Sequence, residues 1–115
     1  MSNEVKSVKL IQKHLNSIDM ILRQSANRDY DTALAAIAMH FVACGEQTQK
    51  LASSKVLNEL FLDDELDTIK TIRESALCDY ENLDLADFFP FFKDGLPSIR
   101  AKIDEFLSKN EDLND

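Results

Sequence analysis

VKLIQKHLNSIDMIL, residues 8–22, is the stretch that decides the class of fold. Its apolar positions Val8, Ile11, Leu15, Ile18 and Leu22 recur in steps of three and four, which places all five on one face of an α-helix. The pattern extends to a helix from about Asn3 to Ser25. Asn3 is a suitable cap, and Glu4 lies in the first turn, where the helix dipole favours an acid. His14 lies off the stripe and is expected to face solvent.

Downstream of a turn at Asn27–Tyr30, the same periodicity returns. Asp31 is read as the cap of a second helix running to about Ser53, with Leu34, Ile37, Phe41, Cys44, Thr48 and Leu51 as its buried stripe. Beside that stripe lie Ala35, Ala38, Val42, Gly45 and Ala52. A glycine inside a helix costs roughly 1 kcal/mol relative to alanine, a cost tolerated where another backbone must come close. Gly45 therefore marks a face that meets another helix, either of this chain or of a second subunit.

Val56, Leu57, Leu60 and Phe61 suggest a short amphipathic helix within Ser53–Leu62. Asp63 or Asp64 then caps a third major helix, for which Leu66, Ile69, Ile72 and Ala76 supply the pattern from Glu65 to about Leu77. After a short connection at Glu81–Leu83, Asp84 opens the last helix, with Asp87 as an imperfect capping-box partner. Its stripe is Leu85, Phe88, Phe92, Leu96, Ile99, Ile103 and Phe106, ending near Lys109. Pro90 and Gly95-Leu96-Pro97 fall inside it, so a bend or break is expected. Phe89 and Phe91 fall off the stripe and suggest a second packing surface or a subunit interface. The polar tail 110–115 is expected to fray.

These elements predict an all-α fold, an up-down four-helix bundle with one short extra helix and a kinked last helix, forming a single domain over residues 1–115. Composition agrees. Only two glycines and two prolines occur in 115 residues, too few for the many turns of a β-rich fold, and 44% hydrophobic residues suffice for a core. No apolar run reaches the roughly 18 residues of a spanning helix, and two cysteines make no disulfide framework. A cytoplasmic protein with reduced thiols and no membrane partner is expected. The net charge of −8 repels a phosphate backbone, so DNA binding is not expected and RNA binding is expected to be weak.

Glycine-rich phosphate loops, CxxC pairs, HExxH and nucleophile elbows are all absent. His40 and Cys44, four apart on one helical face, have metal-chelating spacing, with Cys78 as a conceivable third ligand. Because Cys44 sits on the buried stripe, where a free thiol behaves as a small hydrophobe, no metal and no cofactor is expected. The informative segment is Thr71-Ile72-Arg73-Glu74-Ser75-Ala76-Leu77-Cys78-Asp79-Tyr80-Glu81-Asn82-Leu83-Asp84. On a continuous helix Arg73 and Tyr80 share a face and Cys78 points elsewhere; a helix ending near Cys78 lets the three side chains converge. Residue chemistry alone favours a plainer arrangement, with an exposed Arg73 paired to Glu74 or Asp67 and Tyr80 packed on the bundle.

The segment resembles the HepT-like family of the HEPN superfamily, which carries Arg-x4-His-x-Tyr, commonly with Asn after the Arg. Arg73, Asp79, Tyr80, Asp84 and Leu96-Pro97 match, and Ala36-Ile37-Ala38-Met39 with Gly45-Glu46 is similar to the family's second-helix signature. The likeness runs over residues 8–107. It implies a homodimeric helical bundle, a metal-independent ribonuclease acting as the toxin of a toxin–antitoxin pair, and a small nucleotidyltransferase as antitoxin partner. By that resemblance Arg73 holds the scissile phosphate, and Tyr80 is a contact or the site of adenylylation. Two positions depart from the pattern: Cys78 stands at the histidine position and Glu74 at the asparagine position. RNA cleavage of this kind needs a proton acceptor and a proton donor, which imidazole supplies near neutral pH and a thiol supplies poorly. Glu74 adds negative charge where a phosphate belongs and is placed to neutralise Arg73. Weak or absent ribonuclease activity is therefore expected. The alternatives are an active RNA endonuclease toxin, with Cys78 or another residue in the proton-transfer role, and an unrelated helical interaction module.

Overall fold

A computed structural model describes residues 3–24 and 29–110. They form five α-helices and no strand: α1 (Asn3–Gln24), α2 (Tyr30–Lys50), α3 (Lys55–Leu60), α4 (Asp63–Cys78) and α5 (Leu96–Asn110). Between α4 and α5 the chain passes through 3-10 turns at Tyr80–Asn82 and Leu85–Phe88 and a π-turn at Phe91–Gly95. α1 packs against α2 and α5, α2 also against α4, and α3 against α5. Among the described residues no helix is long and apolar enough to cross a membrane.

The stripes of α1 and α2 become the core. Val8, Ile11, Leu15 and Ile18 of α1 are fully buried, as are Ile37, Phe41 and Cys44 of α2. The α1 stripe ends on Ile21, while Leu22 is only half-buried. Ile69 and Ile72 of α4 and Leu96, Ile99 and Ile103 of α5 complete the interior. Each such side chain removed from water contributes about 1.5–3 kcal/mol. Thr48 and Leu51 are buried, as their spacing predicts.

Helix starts are less conventional than the caps expected for them. Asp29 rather than Asp31 precedes α2, and its carboxylate accepts from the Thr32 hydroxyl at 3.2 Å instead of from a backbone N–H. The turn expected over Asn27–Tyr30 lies mostly outside the described residues, and Tyr30 itself is helical. Ser54 caps α3, its hydroxyl accepting from the Val56 N–H at 3.1 Å and donating to the Glu4 carboxylate on α1. At α4, the buried Glu65 carboxylate reaches back to accept the Leu62 N–H at 2.8 Å. Leu62 has no acceptor to return, so this is half of a capping box.

The last helix departs most from expectation. Asp84 does cap the segment that follows, accepting from the Ala86 N–H at 3.0 Å, but that segment is a 3-10 turn. The bend or break expected at Pro90 and Gly95-Leu96-Pro97 is a break: the chain makes the turn, then the π-turn after Pro90, and only then α5. A π-turn inserts an extra residue and rotates the register of the side chains that follow. Phe91, expected off the buried stripe, is thereby buried at 7% exposure, whereas Phe88 and Phe92 are half-buried. Phe91 and Phe92 stand 5.8 Å apart, with ring centroids 6.1 and 6.0 Å from Phe41 of α2, an aromatic cluster at favourable tilted spacing. Phe89 is 61% exposed, as its place off the stripe suggests. Tyr30 ties this segment to α2: its hydroxyl donates to Asp84 at 3.3 Å and accepts from the Leu85 N–H at 3.4 Å.

Candidate functional site

Arg73 sits on the face of α4 turned towards α2, and the packing there explains Gly45. A Cβ built on Gly45 would lie 2.4 Å from the Arg73 Cδ, far inside contact distance, so the arginine stem crosses α2 only because residue 45 has no side chain. The small-residue face of α2 therefore serves a helix of the same chain. The groove around the arginine has a volume of about 190 Å³; Ala52, Leu57, Leu66 and Ile69 give it a mostly apolar lining, to which Thr48, Gln49, Asp67 and Lys70 add polar groups. Thr48 does not point its hydrogen into it, because its hydroxyl donates to the Gly45 carbonyl at 2.8 Å.

The expected exposed Arg73, paired to Asp67 or Glu74, is not what forms. The side chain is half-buried, its Nε is fully enclosed without a hydrogen-bond partner, and among the described residues no ion pair joins it to either acid. The apolar stem is held by packing over Gly45, which leaves the guanidinium charge unneutralised by Glu74. A buried donor without a partner typically costs about 1–3 kcal/mol.

Cys78 and Tyr80 occupy different ground. α4 ends at Cys78, which is exposed, and Asp79 leaves helical geometry with φ −151° and ψ 45°. The Asp79 N–H still donates to the Ser75 carbonyl at 2.9 Å, but the chain then turns through Tyr80–Asn82. The Asp79 carboxylate accepts from the Asn82 amide at 2.8 Å, and buried Leu83 anchors the exit. The break removes Tyr80 from the helical register it would have shared with Arg73. Tyr80 is 36% exposed, neither it nor Cys78 lines the Arg73 groove, and among the described residues no hydrogen bond links the three side chains. The arginine thus stands apart from the accessible thiol and phenol.

His40 and Cys44 do not form a chelating pair. Cys44 is wholly buried, and burial pushes its thiol up to about 12, so it stays a neutral apolar group. His40 instead meets His14, which is half-buried and not solvent-facing as its place off the stripe suggests. The two Nδ1 atoms are 3.0 Å apart and the ring centroids 5.2 Å apart. Burial holds both imidazoles below the ordinary histidine range; the nearby Lys13 charge adds to this at each, and His40 adds to it at His14. No pattern within either helix announces this contact, which depends on how α1 and α2 are placed against each other. Among the described residues no group of three or more His, Cys, Asp or Glu is arranged to hold a metal ion.

A second surface feature is a shallow apolar groove of about 490 Å³, where Leu22, Ala33, Ile37, Leu85, Phe89 and Phe92 form the walls and Arg23 and Lys93 stand at the rim. The off-stripe position of Phe89 is its one sequence signal.

No family model, no curated protein and no solved structure matches this chain. What its own geometry defines is an all-helical domain with a glycine-seated arginine and an exposed Cys-x-Tyr helix end.

Proposed function

We propose that the chain is a HepT-like HEPN protein, an up-down four-helix bundle that dimerises and binds a small nucleotidyltransferase, with a ribonuclease site too depleted to cleave RNA efficiently. One observation carries the reading. The helix end where the motif's imidazole belongs presents only the Cys78 thiol, and the chain's two histidines are engaged with each other across α1 and α2. No imidazole is left for proton transfer. Arg73, held over Gly45 and free of an acid partner, still suits a phosphate contact, and the accessible phenol of Tyr80 suits modification by the partner enzyme. Pairing two subunits offers a way to bring one subunit's arginine near the other's thiol–phenol end.

The test is RNA degradation by purified protein. Wild type is expected to cleave little or nothing, and Cys78→His to raise the rate by about two to four orders of magnitude, the usual worth of a general acid–base. Wild-type cleavage that Arg73→Ala abolishes would overturn the depleted-site reading in favour of an active toxin. Co-purification with a nucleotidyltransferase and a mass gain of one AMP on Tyr80 are expected. A monomer without such a partner would favour an unrelated helical interaction module, a reading to which the open apolar groove beside Phe89 lends support.

A further inference from the structure

Among the described residues, the most specific juxtaposition of metal-ligating atoms lies away from the Arg73–Tyr80 segment. His14 and His40 come from the two helices that pack most extensively, each well inside its helix, and their Nδ1 atoms approach to 3.0 Å. We infer that His14 and His40 form a two-nitrogen chelate for a divalent transition-metal ion of the nickel or copper type, clamping α1 to α2.

The donor set selects the class of ion. Neutral imidazole nitrogens suit nickel, copper and zinc, and the affinity of such a site rises from nickel to copper. At 3.0 Å the two Nδ1 atoms are close enough to share one ion at metal–imidazole bonds of about 2.0–2.1 Å. Sharing it requires only that the rings turn about their soft sp³–sp² torsions so that neither nitrogen faces the other.

The protonation states are suited as well. Imidazole ligates only through an unprotonated nitrogen, and the contact between the two Nδ1 atoms already requires one of them to be an unprotonated acceptor. In the free pair one ring carries its proton on Nδ1 and donates to the other. On ligation that proton moves to Nε2, so both rings present Nδ1 lone pairs and no proton is released. The rings remain half-exposed, which leaves a path for the ion and room for water in its other positions. Lys13, whose charge acts on both rings, opposes the cation locally, while the net charge of −8 attracts it at longer range. Because only two protein ligands contribute, the ion adds to a fold that forms without it.

The experiment titrates the full chain, carrying no histidine tag, with Ni²⁺ followed by calorimetry and by NMR of the imidazole protons. One Ni²⁺ per chain is expected, broadening His14 and His40 together. His14→Gln and His40→Gln, which keep size and hydrogen-bonding capacity, should each weaken binding by at least about tenfold. Lys13→Gln should tighten it. Lack of saturable binding, unchanged affinity in either glutamine variant, or broadening confined to residues around Cys78 would overturn the assignment. The wild-type broadening pattern decides even if a variant fails to fold.

Discussion

The middle of α4 and its C-terminal end are built from the same kinds of residue and have opposite fates. In the middle, Ile69 and Ile72 are buried and Arg73 is laid across Gly45 of α2; at the end, Leu77 is 58% exposed and Cys78 and Tyr80 reach solvent. The two cysteines repeat the contrast, Cys44 beside Gly45 in the closed region and Cys78 at the open end. What differs is the neighbouring helix, not the residue: α2 covers the middle of α4, while the chain beyond Asp79 turns away. The segment from Arg73 to Tyr80 is therefore divided, its arginine set in packing and its thiol and phenol left accessible.

The sharpest way to break that contrast is thiol chemistry. At pH 8 a thiol with a pKa of about 12 is ionised to roughly one part in 10⁴, and Cys44 must also await an opening of the fold. Cys78 is expected to react with a disulfide reagent at least about a thousandfold faster than Cys44, and equal rates would show that the closed region is not closed. Next in size is core truncation. Phe41→Ala should cost about 3–5 kcal/mol in denaturant unfolding, against less than about 0.5 kcal/mol for Leu77→Ala.

A smaller effect sharpens the comparison by its sign. Gly45→Ala adds a methyl group where the Arg73 stem lies, so it should destabilise by about 1–3 kcal/mol although alanine is the better helix former. In an Arg73→Ala background the same substitution should stabilise by up to about 1 kcal/mol. Failure of the sign to reverse would mean that Gly45 serves something other than the arginine.

The smallest effect comes from the histidine pair in chelator-treated protein. Both native imidazoles titrate below the ordinary histidine range, so between pH 6.5 and the native values the unfolded chain binds more protons than the folded one. Their contribution is intact above about pH 6.5 and is lost as the pH falls through the native values. Stability of wild type should decline more steeply from pH 7 to 5.5 than that of His14→Gln; parallel curves would sever the pair from the fold's pH response.

Much of this architecture was legible in one dimension. The steps of three and four in VKLIQKHLNSIDMIL and along α2 mark faces that do become the core, because burial of one helical face is a local property of spacing. Gly45 correctly signalled a face that meets another helix, although the arginine side chain rather than a backbone takes its space, and the place of Cys44 on the stripe signalled its hydrophobic role. Legibility ended at the aromatic run Phe88–Phe92, where Pro90 and a π-turn shifted the register and buried Phe91 in place of its neighbours. It ended also at the candidate site. Spacing allowed Arg73, Cys78 and Tyr80 to converge at a helix end near Cys78; the helix does end there, but neither Cys78 nor Tyr80 lines the groove around Arg73.

Residue order by itself thus determined which segments are helical and which face of each is apolar, since both follow from local backbone geometry and the avoidance of water by hydrocarbon. Only the tertiary structure decided what those faces meet: Gly45 with Arg73, Phe41 with Phe91, His14 with His40. Such pairings depend on the offset and rotation of one helix against another, quantities set by the packing of the entire core and written in no single segment.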